Sequence, residues 1–310
     1  MRMVIALIVV GAVVLAVAIF VWLNTPGSRT TKQLLELGVS EEDSQFIAVG
    51  DIDTHYLEAG EGPVLLLIHG TPSHTYTWRR MFDDLCENFR VIAFDLKGNG
   101  LTDSPDADYT MESLTDFTVE FMDALGLGQA TIAGHSSGGE IAWRLALRDP
   151  ERVKRLVLIS PSGYPRDDLP FTESLLRVPL LGRIAAGMTP RWLVRMGLED
   201  ALYEEADVTE GLVERYYQCL RKKGNRAAMR KNACEEPDDR YQRIAEIRVP
   251  CLVVWGEHDR SVPTSHADLF DRDLPEVRVE ILPQCGHMPQ WEKPDEVLRL
   301  MADFLSEPPE

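Results

Sequence analysis

Six short apolar runs recur along this chain with helix-period segments between them: Val64–Ile68, Arg90–Phe94, Ala130–Ala133, Leu156–Ile159, Cys251–Trp255 and Val277–Leu282. Their β-branched and leucine-rich composition, bounded by turn residues, is what a strand covered on both faces requires. Residues 75–88, 111–125, 137–148, 264–270 and 295–305 carry apolar positions at helical spacing. This alternation specifies a doubly wound, mostly parallel α/β sheet. Ahead of it, a short helix at Lys32–Leu37 and two strand-like segments, Gln45–Val49 and Thr54–Ala59, are expected, with Gly50-Asp51 as the turn between the strands. The rhythm breaks between Gly163 and about Ile247, where helix formers continue without a convincing strand. That stretch reads as an inserted helical cap. The expected organisation is an anchor and linker at 1–28, a first core part at 29–162, the cap at 163–247 and a second core part at 248–310.

The pentapeptide Gly134-His135-Ser136-Ser137-Gly138 sits between one of the strand runs and one of the helices. G-x-S-x-G in that setting is a nucleophile elbow. A sharp strand-to-helix turn lifts Ser136 Oγ into the open on a strained backbone, and glycines at both flanks avoid collision. The following helix, from Ser137, aims its N-terminal amides and positive dipole end at charge developing beside Ser136.

A serine hydroxyl is a weak nucleophile and needs a base, with a carboxylate to hold that base in the right tautomer. Asp259, in Gly256-Glu257-His258-Asp259, follows one buried strand, and His287, in Cys285-Gly286-His287, follows the next. Loops at the carboxyl ends of such strands gather above one edge of the sheet. The order Ser136, Asp259, His287 is that of an α/β-hydrolase triad. His55, His74, His135 and His258 read as loop or packing residues. They lack metal-ligand spacing such as H-E-x-x-H, and no cofactor motif is present, so neither metal nor cofactor is expected.

With these motifs the chain resembles the α/β-hydrolase family over nearly its whole length beyond the first segment. Ile68-His69-Gly70-Thr71-Pro72 and Asp95-Leu96-Lys97-Gly98-Asn99-Gly100-Leu101-Thr102 are similar to two further family blocks, with Lys97 and Thr102 as departures in the second. The resemblance implies an α/β-hydrolase fold and an oxyanion hole made by the backbone N–H groups of Thr71 and Ser137, with His69 supporting that loop. It also implies an enzyme. A serine nucleophile argues against dehalogenase and epoxide hydrolase chemistry, which needs a carboxylate. The expected function is a serine hydrolase of carboxylic esters, with lipophilic substrates such as monoacylglycerols. A second reading is a carbon–carbon bond hydrolase of ring-cleavage diketones, which Cys285-Gly286-His287 and Gln290-Trp291-Glu292 resemble. A third is a ligand-binding protein that keeps the fold without turnover.

Met3–Leu23 runs without a charge and is long enough, at about 1.5 Å per residue, to cross a bilayer core of roughly 30 Å. It reads as a single-pass N-terminal transmembrane helix, hence a membrane localisation. Arg2 and the terminal amine balance Arg29 and Lys32, so charge assigns no side. A formal net charge of −18 and no basic, aromatic-interleaved cluster argue against nucleic acid as a partner. The sequence does not define an oligomeric state. Five scattered cysteines form neither a disulfide framework nor a zinc pattern, and only Cys219 and Cys234 are near enough in sequence to pair under oxidising conditions. Glu235-Glu236-Pro237-Asp238-Asp239 reads as a solvated loop without chemistry. In the cap, apolar residues from Leu175 to Met196, interleaved with Arg177, Arg183, Arg191 and Arg195, are expected to pack over the sheet, with a membrane-touching lid as the second reading.

Overall fold

Every strand-like run becomes a strand of one sheet in the computed structural model, which describes residues 28–36, 44–166, 169, 171–236 and 238–306. The eight strands are β1 (Ser44–Val49), β2 (Ile52–Ala59), β3 (Val64–Ile68), β4 (Arg90–Phe94), β5 (Ala130–His135), β6 (Val153–Ile159), β7 (Cys251–Gly256) and β8 (Val277–Leu282). Their spatial order is β1-β2-β4-β3-β5-β6-β7-β8. β1 and β2 form a hairpin whose last pair, Val49 with Ile52, leaves Gly50 and Asp51 as the turn. Gly50 takes the left-handed conformation there, at φ 56°. From β4 onward every pairing is parallel, so the carboxyl ends of β3, β5, β6, β7 and β8 share one edge.

The sheet has two apolar faces. Leu66, Ile68, Ile132, Leu156, Leu158 and Val253 belong to one core cluster, while the alternate residues Leu65, Leu67, Ala133, Val157, Ile159 and Leu252 belong to the other. Period-two side chains with both sides buried explain why these strands read as continuous apolar runs. Each buried Leu, Ile or Val is worth about 1.5–3 kcal/mol.

The helices are α1 (Thr31–Glu36), α2 (Arg79–Cys86), α3 (Met111–Ala124), α4 (Ser137–Arg148), α5 (Phe171–Arg177), α6 (Pro179–Met188), α7 (Arg191–Ala201), α8 (Glu210–Leu220), α9 (Asn225–Ala233), α10 (Ser265–Asp273), α11 (Pro289–Glu292) and α12 (Pro294–Ser306). α2 and α12 cover one sheet face, and α3, α4 and α10 the other. Where one helix over 75–88 was expected, a 3-10 turn at Thr75–Trp78 precedes α2. Asp95 Oδ1 accepts the Thr75 N–H at 2.7 Å and ties that turn to the end of β4.

Among the described residues no strand lies between β6 and β7; helices α5–α9 fill the interval. Val194, Leu198, Val213 and Tyr217 pack with Met288 and Trp291, which joins these helices to the loop after β8. The apolar cap residues divide between two faces. Leu175, Leu176 and Leu193 line a cavity, whereas Val178, Leu180, Leu181, Ile184 and Trp192 are exposed, so the packing expected for the whole set holds only for its inner members. Cys219 and Cys234 are both free thiols. No described helix is long and apolar enough to cross a membrane, and Met3–Leu23 lies outside the described residues.

Candidate active site

Ser136 stands between β5 and α4 at φ 54° and ψ −122°, a conformation that costs an L-residue roughly 1–3 kcal/mol and is held by its surroundings. Its N–H donates to Ile159 O at 3.0 Å, and its carbonyl accepts from Ser162 and Glu140, each at 3.1 Å. The flanking glycines are steric necessities. A Cβ at Gly134 would overlap the Gly138 carbonyl, and one at Gly138 would overlap the Ile68 carbonyl.

The structure brings Ser136, His287 and Asp259 together from three strand ends. His287 Nε2 lies 3.0 Å from Ser136 Oγ, and His287 Nδ1 lies 2.7 Å from Asp259 Oδ2. Asp259 Oδ1 accepts the N–H groups of Ser261 and Val262 at 2.8 and 2.9 Å. Burial by itself would raise the Asp259 carboxyl, but the facing His287, through charge and hydrogen bond, and the two amides hold it below the usual carboxylate range. An ionised Asp259 fixes the proton on His287 Nδ1. That leaves Nε2 as the acceptor for the Ser136 proton.

The His287 loop is held by partners with no local sequence signal. Glu292 takes the Gly286 N–H at 3.0 Å, the Met288 N–H at 3.2 Å and the Tyr203 N–H at 2.7 Å. Burial raises its carboxyl pKa, and the three amides oppose that rise. The His287 N–H donates to Ala201 O at 2.7 Å. His135 Nε2 is 2.8 Å from the His287 carbonyl, and since a carbonyl only accepts, the proton sits on Nε2. Burial, with the nearby His287, lowers His135 to about 3 and keeps it neutral. His69 holds the neighbouring loop, donating from Nδ1 to Gly70 O at 2.7 Å and accepting the Leu96 N–H at Nε2, 3.0 Å away.

The two amides expected to face an oxyanion differ. No described group accepts the Ser137 N–H, which is free at the start of α4. The Thr71 N–H instead donates to Ser137 Oγ at 2.8 Å, so that amide already has a partner. Thr71 Oγ1 is 3.1 Å from the same hydroxyl and donates to Asn232 Oδ1 at 2.8 Å, tying the loop to α9. A serine rotamer change releases the Thr71 amide; no backbone change is required.

A cavity of about 450 Å³ opens on Ser136 and His287, within the range of small-molecule sites. Leu169, Leu176, Leu193, Val194 and Met229 supply apolar wall. Several charged residues also line it. Arg144 is buried between Glu140 and Asp238, and Glu173 pairs with both Arg166 and Arg177. Glu235 also lines the cavity, accepting the Met111 N–H with both oxygens at 2.9 Å. Burial raises its carboxyl to about 7. Within the acidic run 235–239 Glu236, Asp238 and Asp239 are exposed as a solvated loop requires, while Glu235 is half-buried on the cavity and departs from that reading.

A family model described as the alpha/beta hydrolase family matches residues 65–300. The chain is 31% identical over 283 residues, 86% of its length and 95% of the relative's, to a 2-hydroxymuconate semialdehyde hydrolase of Pseudomonas sp. (strain CF600). It is similar to the crystal structure of a meta-cleavage product hydrolase from Pseudomonas fluorescens IP01, with TM-score 0.73 and 27% identity, covering 87% of this chain and 98% of that one. It is also similar to a crystal structure described as a membrane phospholipase A, with TM-score 0.70 and 25% identity, covering 98% of this chain and 97% of that one. With the fold, the elbow and the family model in agreement over most of its length, this chain belongs to the alpha/beta hydrolase family.

Proposed function

We propose that this protein is a serine hydrolase of neutral, lipophilic carboxylic esters, monoacylglycerol-like lipids among them. His287 Nε2 takes the proton of Ser136 Oγ as it attacks the ester carbonyl, and Asp259 stabilises the imidazolium. The Ser137 N–H and, after its hydroxyl turns away, the Thr71 N–H stabilise the oxyanion. Each such donor is worth about 3–4 kcal/mol of barrier. His287 returns the proton to the departing alcohol, and water activated by the same ring then cleaves the acyl-enzyme.

The observation that carries the ester reading over carbon–carbon cleavage is the charge state of the cavity wall. Its three arginines, Arg144, Arg166 and Arg177, are each paired with a carboxylate, and the Glu235 carboxyl forms no ion pair among the described residues, with Arg144 acting on it only at longer range. The relatives named for ring-cleavage products act on carboxylates, and an anion entering this cavity meets no uncommitted cation among the described lining residues. A neutral ester meets no such penalty. For the run Met3–Leu23 the reading is a single-pass membrane anchor, supported by its length and lack of charge and by the likeness to a membrane phospholipase A.

The test uses the full chain in detergent micelles against p-nitrophenyl esters from acetate to palmitate and against a ring-fission dienoate, with Ser136→Ala as control. Serine-dependent ester turnover that peaks at medium or long chains, with slow dienoate cleavage, is expected. Dienoate cleavage faster than every ester would overturn the reading in favour of carbon–carbon hydrolysis. Failure of a fluorophosphonate to label Ser136, together with no turnover of any substrate, would leave only a binding protein.

A further inference from the structure

The outward face of the cap carries an apolar stripe that the reaction does not use. Val178, Leu180, Leu181 and Ile184 on and beside α6, and Trp192 on the first turn of α7, are exposed, Leu180 at 69% and Trp192 at 63%. Residues 180, 181 and 184 share one side of α6 by helical spacing. Ala185 of α6, Thr189 between the two helices, and Leu193 and Val194 of α7 line the catalytic cavity. One helix layer, about 10 Å thick, therefore separates the stripe from the cavity.

The chain enters the fold close to that stripe. The Arg29 N–H donates to Arg221 O at 2.7 Å and the Lys223 N–H donates to Arg29 O at 2.8 Å, which fastens the first described residues to the segment before α9. Arg226, three residues on, donates from Nη1 to Gly187 O at 2.9 Å near the end of α6. Residues 24–28 alone separate Arg29 from the apolar run Met3–Leu23, and five extended residues span at most about 18 Å. Charge follows the same geography. Arg166, Arg177, Arg191 and Arg195 of the cap are all paired with carboxylates. Arg183 and Lys223 are exposed and have no carboxylate partner among the described residues, whereas the Arg226 guanidinium is turned inward. In a chain of net charge −18 the two exposed cations are a local basic rim beside the apolar stripe.

The geometry points to the α6–α7 face as a bilayer-docking surface, with the apolar stripe among acyl chains and the basic rim on anionic lipid headgroups. The cavity behind it then draws its ester from the membrane that holds the anchor. This rests on the membrane reading of Met3–Leu23 and on the ester reading. A second copy of the chain is disfavoured as the occupant, because apposing two such faces brings the basic rims together.

The test reconstitutes the full chain in phosphatidylcholine–phosphatidylglycerol vesicles with brominated acyl chains, which quench nearby tryptophan. Trp192→Phe isolates the contribution of Trp192, the exposed tryptophan of the cap. A quenched component that this variant lacks, and that weakens when phosphatidylglycerol is left out, is expected. Leu180→Glu with Leu181→Glu should abolish it and slow turnover of a vesicle-borne long-chain ester about tenfold. Turnover of water-soluble p-nitrophenyl acetate should stay within about twofold, which also reports that the variant is folded. If that variant does not fold, the Trp192→Phe comparison decides alone. Vesicle flotation with Trp192 unquenched would refute docking and leave the anchor standing. Chain left in the aqueous phase would refute the anchor, and docking with it. Trp192 shielded from both brominated lipid and acrylamide, with a dimer that the double variant dissociates, would assign the face to a second copy and overturn the inference.

Discussion

Asp259→Asn preserves the shape of the site and reverses one hydrogen bond. Oδ1 of Asp259 serves the Ser261 and Val262 amides at 2.8 and 2.9 Å, and both of those groups require an acceptor. The Asn carbonyl oxygen therefore stays on them and its NH₂ turns toward His287 Nδ1, 2.7 Å away in the wild type. Nδ1 must then accept, and the ring proton moves to Nε2. At 3.0 Å from Ser136 Oγ, Nε2 becomes a donor and cannot take the serine proton. Loss of the correct tautomer costs about 10⁴ in kcat, or about 5.4 kcal/mol of barrier. KM should hold, because the Asp259 side chain is fully buried behind His287. The assay is kcat and KM on p-nitrophenyl butyrate, with fluorophosphonate labelling of Ser136 followed in parallel. A variant that keeps kcat within about tenfold of wild type would refute the tautomer argument.

Three further outcomes follow from hydrogen bonds and burial. Ser137→Ala frees the Thr71 N–H from its hydroxyl, and relief of about 1 kcal/mol of competition should raise kcat up to about fivefold; a tenfold fall would show that the hydroxyl assists the oxyanion. Glu292→Gln sets an NH₂ among the Gly286, Met288 and Tyr203 amides and loosens the His287 loop, so kcat should drop about 10–100-fold with a smaller change in KM. Glu235 holds its proton more tightly folded than unfolded, so its contribution is fully present below the unfolded pKa of about 4.3 and is lost as pH rises through about 7. Glu235→Gln should flatten the fall in Tm between pH 5 and 8, by about 2 °C after allowance for its half-open position; parallel Tm curves would show that Glu235 does not titrate in that range.

The sheet was legible because each parallel strand, buried on both faces, needs an uninterrupted apolar run, and the helices between keep their own period. Ser136, Asp259 and His287 were legible because each follows a strand whose end is fixed by that pattern, and because glycine is the only residue that fits at 134 and 138. What holds those residues was not. Ala201, Tyr203 and Asn232 reach the site from the cap, and backbone partners such as Ala201 O have no side-chain identity to read. Glu235 looked like one more solvated acid in an acidic run, since nothing local says which members turn inward. Occupation of the Thr71 amide by Ser137 Oγ is likewise a contact across 66 residues, written in neither motif alone.

The cap holds the base loop through two backbone links, Ala201 O to the His287 N–H and the Tyr203 N–H to Glu292. A cap exchanged with that of a relative would thus bring a new cavity and a newly suspended histidine at once. Specificity and turnover in this chain are inherited together, and a chimera that changes the first must rebuild both links before the second returns.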